Sequence, residues 1–301
     1  MLFSIFLHNA MKTYKAILIG NGTMGKRHRA RFESCGVRFV QVVDAGDVIV
    51  EDNVDFAVIA SPATSHYDYA KYFLERHIAV FVEKPLAISG SETQELVELS
   101  QRNGTVLFVA QSECFNPVFL NFRKHFLTEL RALNKVDAKP VNVRLEFRRE
   151  HKYSERCRDV NVALDLMVHD LSLCLSMFRY EDLKVSDFSI SKNNDCAQMQ
   201  INVFKGEFAG TSLRFIVNRD SRIDSRTVFV EMGRNAGNSA YGYSVSLAQY
   251  DESGEVIHVP DSLENEHRFF LKLMAGACSE WGRRAAQCAA DAVKLATMAQ
   301  I

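Results

Sequence analysis

The sequence predicts an α/β protein in two parts: an N-terminal doubly wound parallel sheet, then a C-terminal α+β part with a largely antiparallel, open sheet. Strand and helix patterns alternate from Tyr14 to about Ser112, as in a parallel sheet wound with helices. After Pro117 that alternation stops, and strand-like runs follow one another from Leu183 to Val259 across turns such as Lys205-Gly206. A long helical stretch from Ser262 closes the chain.

Each element has a local reason. Lys15–Ile19 is a short continuous apolar run, the pattern of a strand buried on both faces. A helix is expected from about Met24 to Cys35, then strands at 37–43 and 56–60. A helix from Ser65 to Arg76 leads to a strand at 78–82. The next helix, 91–103, has Ser89 or Ser91 to cap it and Asn103-Gly104 to stop it, and a strand at 106–110 follows. Only eleven residues separate Asp44 from Phe56, near the minimum for a parallel crossover, so one sheet face should be thinly covered there. In the second part, a helix is expected from Val118 to Leu133. The stretch 140–149 alternates, with Val141, Val143, Leu145 and Phe147 on one face. A helix at 162–178 precedes strands at 197–204, 207–217, 226–232 and 241–250. The expected division is 11–114 and 115–301, with the C-terminal helix free to pack back on the first domain.

Composition narrows the function. The chain has 301 residues, about two average domains. Lys+Arg of 36 against Asp+Glu of 37 gives a net charge of −1, with no electrostatic footprint for nucleic acid or an anionic membrane. Seven cysteines, an odd number without C-x-x-C spacing, read as reduced thiols of a cytoplasmic protein, and no metal site is expected. The first ten residues are apolar but too short to span a bilayer, and Lys12 and Lys15 follow them instead of preceding them. They read as an extension outside the fold.

Gly20, Asn21, Gly22, Thr23, Met24 and Gly25 form G-x-G-x-x-G between a predicted strand and a predicted helix, which is the context a dinucleotide-binding Rossmann loop requires. The first glycine permits the turn, the second lets a pyrophosphate approach the backbone, and the third lets helix and strand pack closely. Free N–H groups at the helix start favour the phosphates. Asp44 ends the second strand, where a carboxylate accepts from the adenosine ribose hydroxyls and repels a 2′-phosphate, so the cofactor is expected to be NAD. Ser61, Pro62 and His66, after the third strand, would run close to that cofactor, although His66 also suits a structural role at a helix start.

Two further groups carry chemistry. Glu83-Lys84-Pro85 follows a strand, at the edge where open α/β sheets bind ligands, and Pro85 restricts Lys84 to extended conformations. Asp165 and His169 share a helix face at i, i+4 spacing, so Asp165 can fix the imidazole or both can face one ligand. An imidazole near its ordinary pKa suits proton transfer from a hydroxyl.

Together, Gly20–His28, the segment Ala60-Ser61-Pro62 to His66, Glu83-Lys84-Pro85 and Asp165 to His169 resemble the Gfo/Idh/MocA oxidoreductase family over residues 14 to about 275. The resemblance implies that Lys84, Asp165 and His169 are the catalytic set. It also implies hydride transfer between a nicotinamide cofactor and a ring hydroxyl or ketone of a sugar, sugar nucleotide or cyclitol, and a homodimer or homotetramer built through the second-domain sheet. Glu113-Cys114-Phe115-Asn116-Pro117 and Leu164–Leu171 are similar to the UDP-N-acetyl-sugar 3-dehydrogenases, with Cys114, Gln111 and Ser172 departing from that group. The expected mechanism has His169 taking the hydroxyl proton, Asp165 orienting the imidazole, and Lys84 binding the same oxygen. A catalytically silent NAD- or sugar-sensing protein and a metal enzyme using Asp165 with His169 are the alternatives.

Overall fold

The computed structural model describes residues 13–298 except 51–52, 137–140, 154–158, 234–240, 250–256 and 258–259. The N-terminal extension and parts of the expected segments 140–149 and 241–250 therefore lie outside the described residues.

The first sheet contains β1 (Lys15–Ile19), β2 (Arg38–Val43), β3 (Phe56–Ile59), β4 (Ala79–Glu83) and β5 (Leu107–Ala110), all parallel, in the order β2-β1-β3-β4-β5. β1 and β3 are adjacent although β2 intervenes in sequence, so the winding direction reverses between them. Open α/β sheets bind ligands in the crevice at such a switch point. The helices on this sheet are α1 (Thr23–Ser34), α2 (His66–Glu75) and α3 (Gly90–Asn103). Ser89 caps α3 by accepting from the Glu92 N–H, and Gly104 ends it in a left-handed conformation. Between β2 and β3 the described residues form no helix; Ile49 and Val54 reach the core while Val48 and Val50 are exposed, so the cover there is thin.

The second sheet is mixed. It contains β6 (Asn142–Glu150), β7 (Leu183–Ile190), β8 (Cys196–Val203), β9 (Thr211–Asn218), β10 (Ser225–Gly233) and β11 (Tyr241–Ser246), in the order β11-β10-β6-β9-β8-β7. Only the central pair, β6 and β9, is parallel. Val143, Leu145 and Phe147 of β6 face inward, as their alternation predicts, and pack under α4 (Pro117–Val136) with Phe119, Phe122 and Phe126. The opposite face carries Arg144, Glu146, Arg148, Gln198 and Arg214, with Glu146 within ion-pair distance of all three arginines.

The closing helical stretch is two helices, α6 (Ser262–Met274) and α7 (Ser279–Thr297); a fifth helix, α5 (Val168–Leu175), precedes them in the chain. Gly276, at φ +81°, breaks the stretch, a conformation that a side chain would oppose. α6 lies beside α1, where Phe270 joins Phe32, Phe56 and Phe81 in a cluster of edge-to-face rings. α7 reaches both sheets: Ala286, Ala289 and Ala290 pack in the core of the first, and Ala292, Val293 and Ala296 in that of the second.

Candidate active site

The glycine loop stands at the crevice between β1 and β3. Gly20 has φ +89°, and a Cβ there would lie 2.6 Å from the Ser61 nitrogen. A Cβ at Gly25 would lie 1.9 Å from the Gly20 carbonyl oxygen, so the start of α1 can pack on its own loop only with glycine there. Gly22 differs from both: its φ is −70°, and a Cβ would meet no described atom within 4 Å. Nothing in the chain itself demands glycine at 22, so the open space over its backbone fits a pyrophosphate. Gly22 caps α1 without a side-chain hydrogen bond, and the first turn has no acid to compete with a phosphate. Asp44 follows β2, and its Oδ1 accepts from the Asn21 N–H at 3.4 Å, which sets the carboxylate beside the loop. These residues fit NAD.

His66 and Glu83 stand in different roles from those expected of cofactor contacts. His66 is buried, with Nδ1 2.7 Å from the Pro85 carbonyl and Nε2 2.9 Å from the Ser61 carbonyl. It therefore ties the loop after β3 to the loop after β4, and no ring nitrogen is left for a ligand. Burial lowers its pKa, against the pull of those two carbonyls and of Glu83. Glu83 turns to His28, whose Nε2 is 2.7 Å from Oε1, while Oε2 accepts from the Lys84 N–H at 3.1 Å. Ser61 and Pro62 stay at the mouth of the crevice, with Ser61 Oγ 2.7 Å from Ser65 Oγ.

Lys84 reaches from β4 to the second half of the chain. Its Nζ donates to the Asp165 carbonyl oxygen at 2.7 Å and to Asp165 Oδ1 at 3.1 Å. Asp165 lies in a π-turn, Ala163–Met167, at the entry to α5. Such wide turns are frequent at functional sites. The other oxygen, Oδ2, lies 3.4 Å from Arg219, which is itself paired to Asp195 at 2.8 Å. The expectation that Asp165 orients the His169 ring is corrected here: a buried carboxylate within reach of two cations pairs with them and leaves the imidazole.

His169 Nδ1 is buried and has no hydrogen-bond partner. Burial pushes the imidazole well below its ordinary pKa, and the charges of Lys84, Arg149 and Arg226 push the same way. His169 is thus neutral at physiological pH, with a polar atom free for a ligand, in place of the near-ordinary titration expected.

Sequence reasoning missed the buried charges that frame this site. Arg149 makes three contacts to Asp170, at 2.8, 3.2 and 3.2 Å, and one to Glu113 at 3.0 Å. Burial alone would raise the Glu113 carboxyl, but Arg149 and Arg226 outweigh it and hold it below the usual range. A signal was present. Arg149 continues the inward parity of Val143, Leu145 and Phe147, and Arg219 that of Leu213, Phe215 and Val217. An arginine on the apolar face of a strand requires a buried acid.

The switch-point crevice thus carries a glycine loop with an acid beside it, and Lys84 reaches from it to Asp165. The sequence model of the Gfo/Idh/MocA oxidoreductase family, NAD-binding Rossmann fold, matches residues 22–111 of this chain. UDP-N-acetylglucosamine 3-dehydrogenase of Acidithiobacillus ferrooxidans is 23% identical over 199 residues, which span 60% of this chain and 60% of that protein. A solved structure of that dehydrogenase superposes with a TM-score of 0.65 at 19% identity, covering 95% of this chain and 98% of that one. GenD2 from gentamicin A biosynthesis, in complex with NAD, superposes with a TM-score of 0.68 at 18% identity, covering 96% of this chain and 93% of that one. At these identities the structures show a shared fold.

Proposed function

We propose that the protein transfers a hydride between NAD and a ring hydroxyl or ketone of a sugar, sugar nucleotide or cyclitol. The observation that carries this reading is the meeting of Lys84 from one sheet with Asp165 from the other half, beside the free Nδ1 of His169. Bound NAD would supply the hydride acceptor. The chain's own residues bind and position: Gly20–Gly25 hold the pyrophosphate, and Asp44 the ribose. The Lys84 ammonium donates to the reacting oxygen, and neutral His169 takes the hydroxyl proton. Asp165 holds Lys84 in place and is itself held by Arg219 through its other oxygen. A UDP-N-acetyl sugar is the narrower substrate, supported by the relative named above and by Glu113 and Asn116, which join in one buried contact at 3.2 Å. A metal in place of this scheme is disfavoured, because Lys84 and Arg219 occupy the Asp165 carboxylate.

The same reading takes the protein as a homodimer or homotetramer without nucleic acid or membrane partners, acting in the cytoplasm. No helix among the described residues is long and apolar enough to cross a membrane. The six described cysteines are free thiols, in keeping with a reducing compartment.

A panel of sugars, sugar nucleotides and cyclitols with NAD, followed by the absorbance of the reduced cofactor, tests this. Lys84→Ala and His169→Ala should each cut turnover by about 10²-fold or more. NAD affinity should change much less. Tight NAD binding with no turnover of any compound would favour a sensor. Equal loss of binding and turnover in His169→Ala would assign that residue to folding.

A further inference from the structure

A chain of hydrogen bonds that the proposed reaction does not use runs behind Lys84. Glu83 Oε1 lies 2.7 Å from His28 Nε2, His28 Nδ1 lies 3.0 Å from His267 Nε2, and His267 Nδ1 lies 2.5 Å from the Leu263 carbonyl oxygen. It joins α1, which opens at the cofactor loop, to the end of β4 and to α6. Both histidines are buried in the phenylalanine cluster: His267 stacks on Phe81 and meets Phe32 edge-to-face, and His28 meets Phe81 edge-to-face.

The last acceptor fixes the direction of the whole chain. A carbonyl oxygen only accepts, so His267 carries its proton on Nδ1. His267 is neutral, because burial and the neighbouring His28 and Arg31 charges lower its pKa to about 3, against the pull of Leu263 and Glu83. Its Nε2 is then a bare acceptor, and His28 must present N–H from Nδ1. One proton is left for the contact between His28 Nε2 and Glu83 Oε1. Burial alone would raise the Glu83 carboxyl, but the His28 hydrogen bond and the charges of His28, Lys84 and His66 hold it below the usual range. The other acid facing Glu83 is Glu266 of α6, which burial keeps protonated.

We infer that His28 and His267 are positioning residues for Lys84. By fixing one proton at the Glu83–His28 contact, they hold the Glu83 carboxylate so that its second oxygen receives the Lys84 backbone N–H. The lysine stem then leaves the loop in one direction, toward Asp165. The kinetic consequence rests on the oxidoreductase reading; the proton arrangement does not.

Nitrogen-15 NMR of the histidine rings in the ligand-free protein tests the arrangement first. His267 should show a proton on Nδ1 and none on Nε2, and His28 a proton on Nδ1. A proton on His267 Nε2, or none on His28 Nδ1, overturns the inference whatever the enzyme does. His267→Gln keeps an oxygen acceptor for His28 and should leave the His28 ring pattern and turnover near those of the unaltered protein. His267→Leu removes the acceptor and should lower kcat about tenfold, with NAD affinity unchanged. If His267→Leu does not fold, the ring pattern of the unaltered protein and of His267→Gln still decides. Equal kcat in His267→Leu and the unaltered protein overturns the positioning role. Should no substrate turn over while the ring protons stand as described, the oxidoreductase reading fails and the proton chain survives.

Discussion

Asp44 shows how one residue can decide a cofactor. Its carboxylate stands beside the glycine loop at the end of β2, where an adenosine ribose would lie. Two like charges about 4 Å apart repel by about 1 kcal/mol in bulk water and by more near a protein surface. A 2′-phosphate would meet that repulsion, whereas two hydroxyls would donate to the same oxygens. NAD should therefore bind more tightly than NADP, and Asp44→Ala should narrow the gap by about tenfold, roughly 1.4 kcal/mol. Titration of both cofactors by intrinsic fluorescence checks this, and preference for NADP in the unaltered protein would defeat it. Lys26 and Arg27, exposed on α1, stand near enough in sequence to moderate the effect without reversing it.

At the scale of elements, what could be read from the chain depended on whether local pattern or distant packing made the choice. The first sheet was legible because each strand is buried on both faces and so is apolar throughout, as in Phe56–Ile59. The glycine loop, Asp44 and Lys84 were legible because their positions at strand ends follow from that sheet. The break between α6 and α7 was not, since amphipathic periodicity continues across Gly276 and only the backbone conformation ends the helix. Residues 207–210 looked like strand, yet Gly206 and Gly210 both adopt positive φ and Phe208 turns inward. The π-turn hides for a similar reason, because its residues carry an ordinary helical pattern. The interior face of α6 was the least legible: Glu266 and His267 are polar but fully covered by partners distant in sequence. Glu266 is costly there, with both oxygens buried and unpartnered. Burial raises its pKa well above the ordinary value of 4.5, and Glu83 adds to the rise. The folded state therefore binds a proton that the unfolded state releases above pH 4.5. Stability from this group falls as pH rises from there toward the folded pKa, by about 1.4 kcal/mol per unit. Glu266→Gln removes that loss, so it should raise Tm at pH 8 and change it much less at pH 4.5. Thermal melts at the two pH values measure this. A larger gain at the lower pH would mean that the carboxyl is ionised in the fold.

At the scale of the whole molecule, α7 packs in the cores of both sheets, and among the described residues no helix covers the outer face of the second sheet. Its ladder is charged and amide-rich, with Glu146 held among Arg144, Arg148 and Arg214, and Arg214 donating to Gln198 at 2.9 Å. Any assembly through this face therefore rests on polar contacts. The dimensions still suit a partner. Six strands about 4.8 Å apart, with about eight residues each at about 3.4 Å, span on the order of 700 Å². That is close to the roughly 800 Å² per partner of a standard stable interface. A second copy laid face to face would bring arginines of one ladder to glutamate and glutamine of the other. Such a contact should be specific and sensitive to salt, since exposed charges are screened beyond about 10 Å at 0.1 M. Light scattering at micromolar concentration should give a dimer or tetramer mass, and the mass should fall as salt is raised. Arg214→Glu places a second acid opposite Glu146, its register partner on β6, and should yield a monomer whose circular dichroism is unchanged. A monomer mass for the unaltered protein at low salt would remove this face as the interface. A dimer that resists both salt and Arg214→Glu would move the interface elsewhere on the molecule.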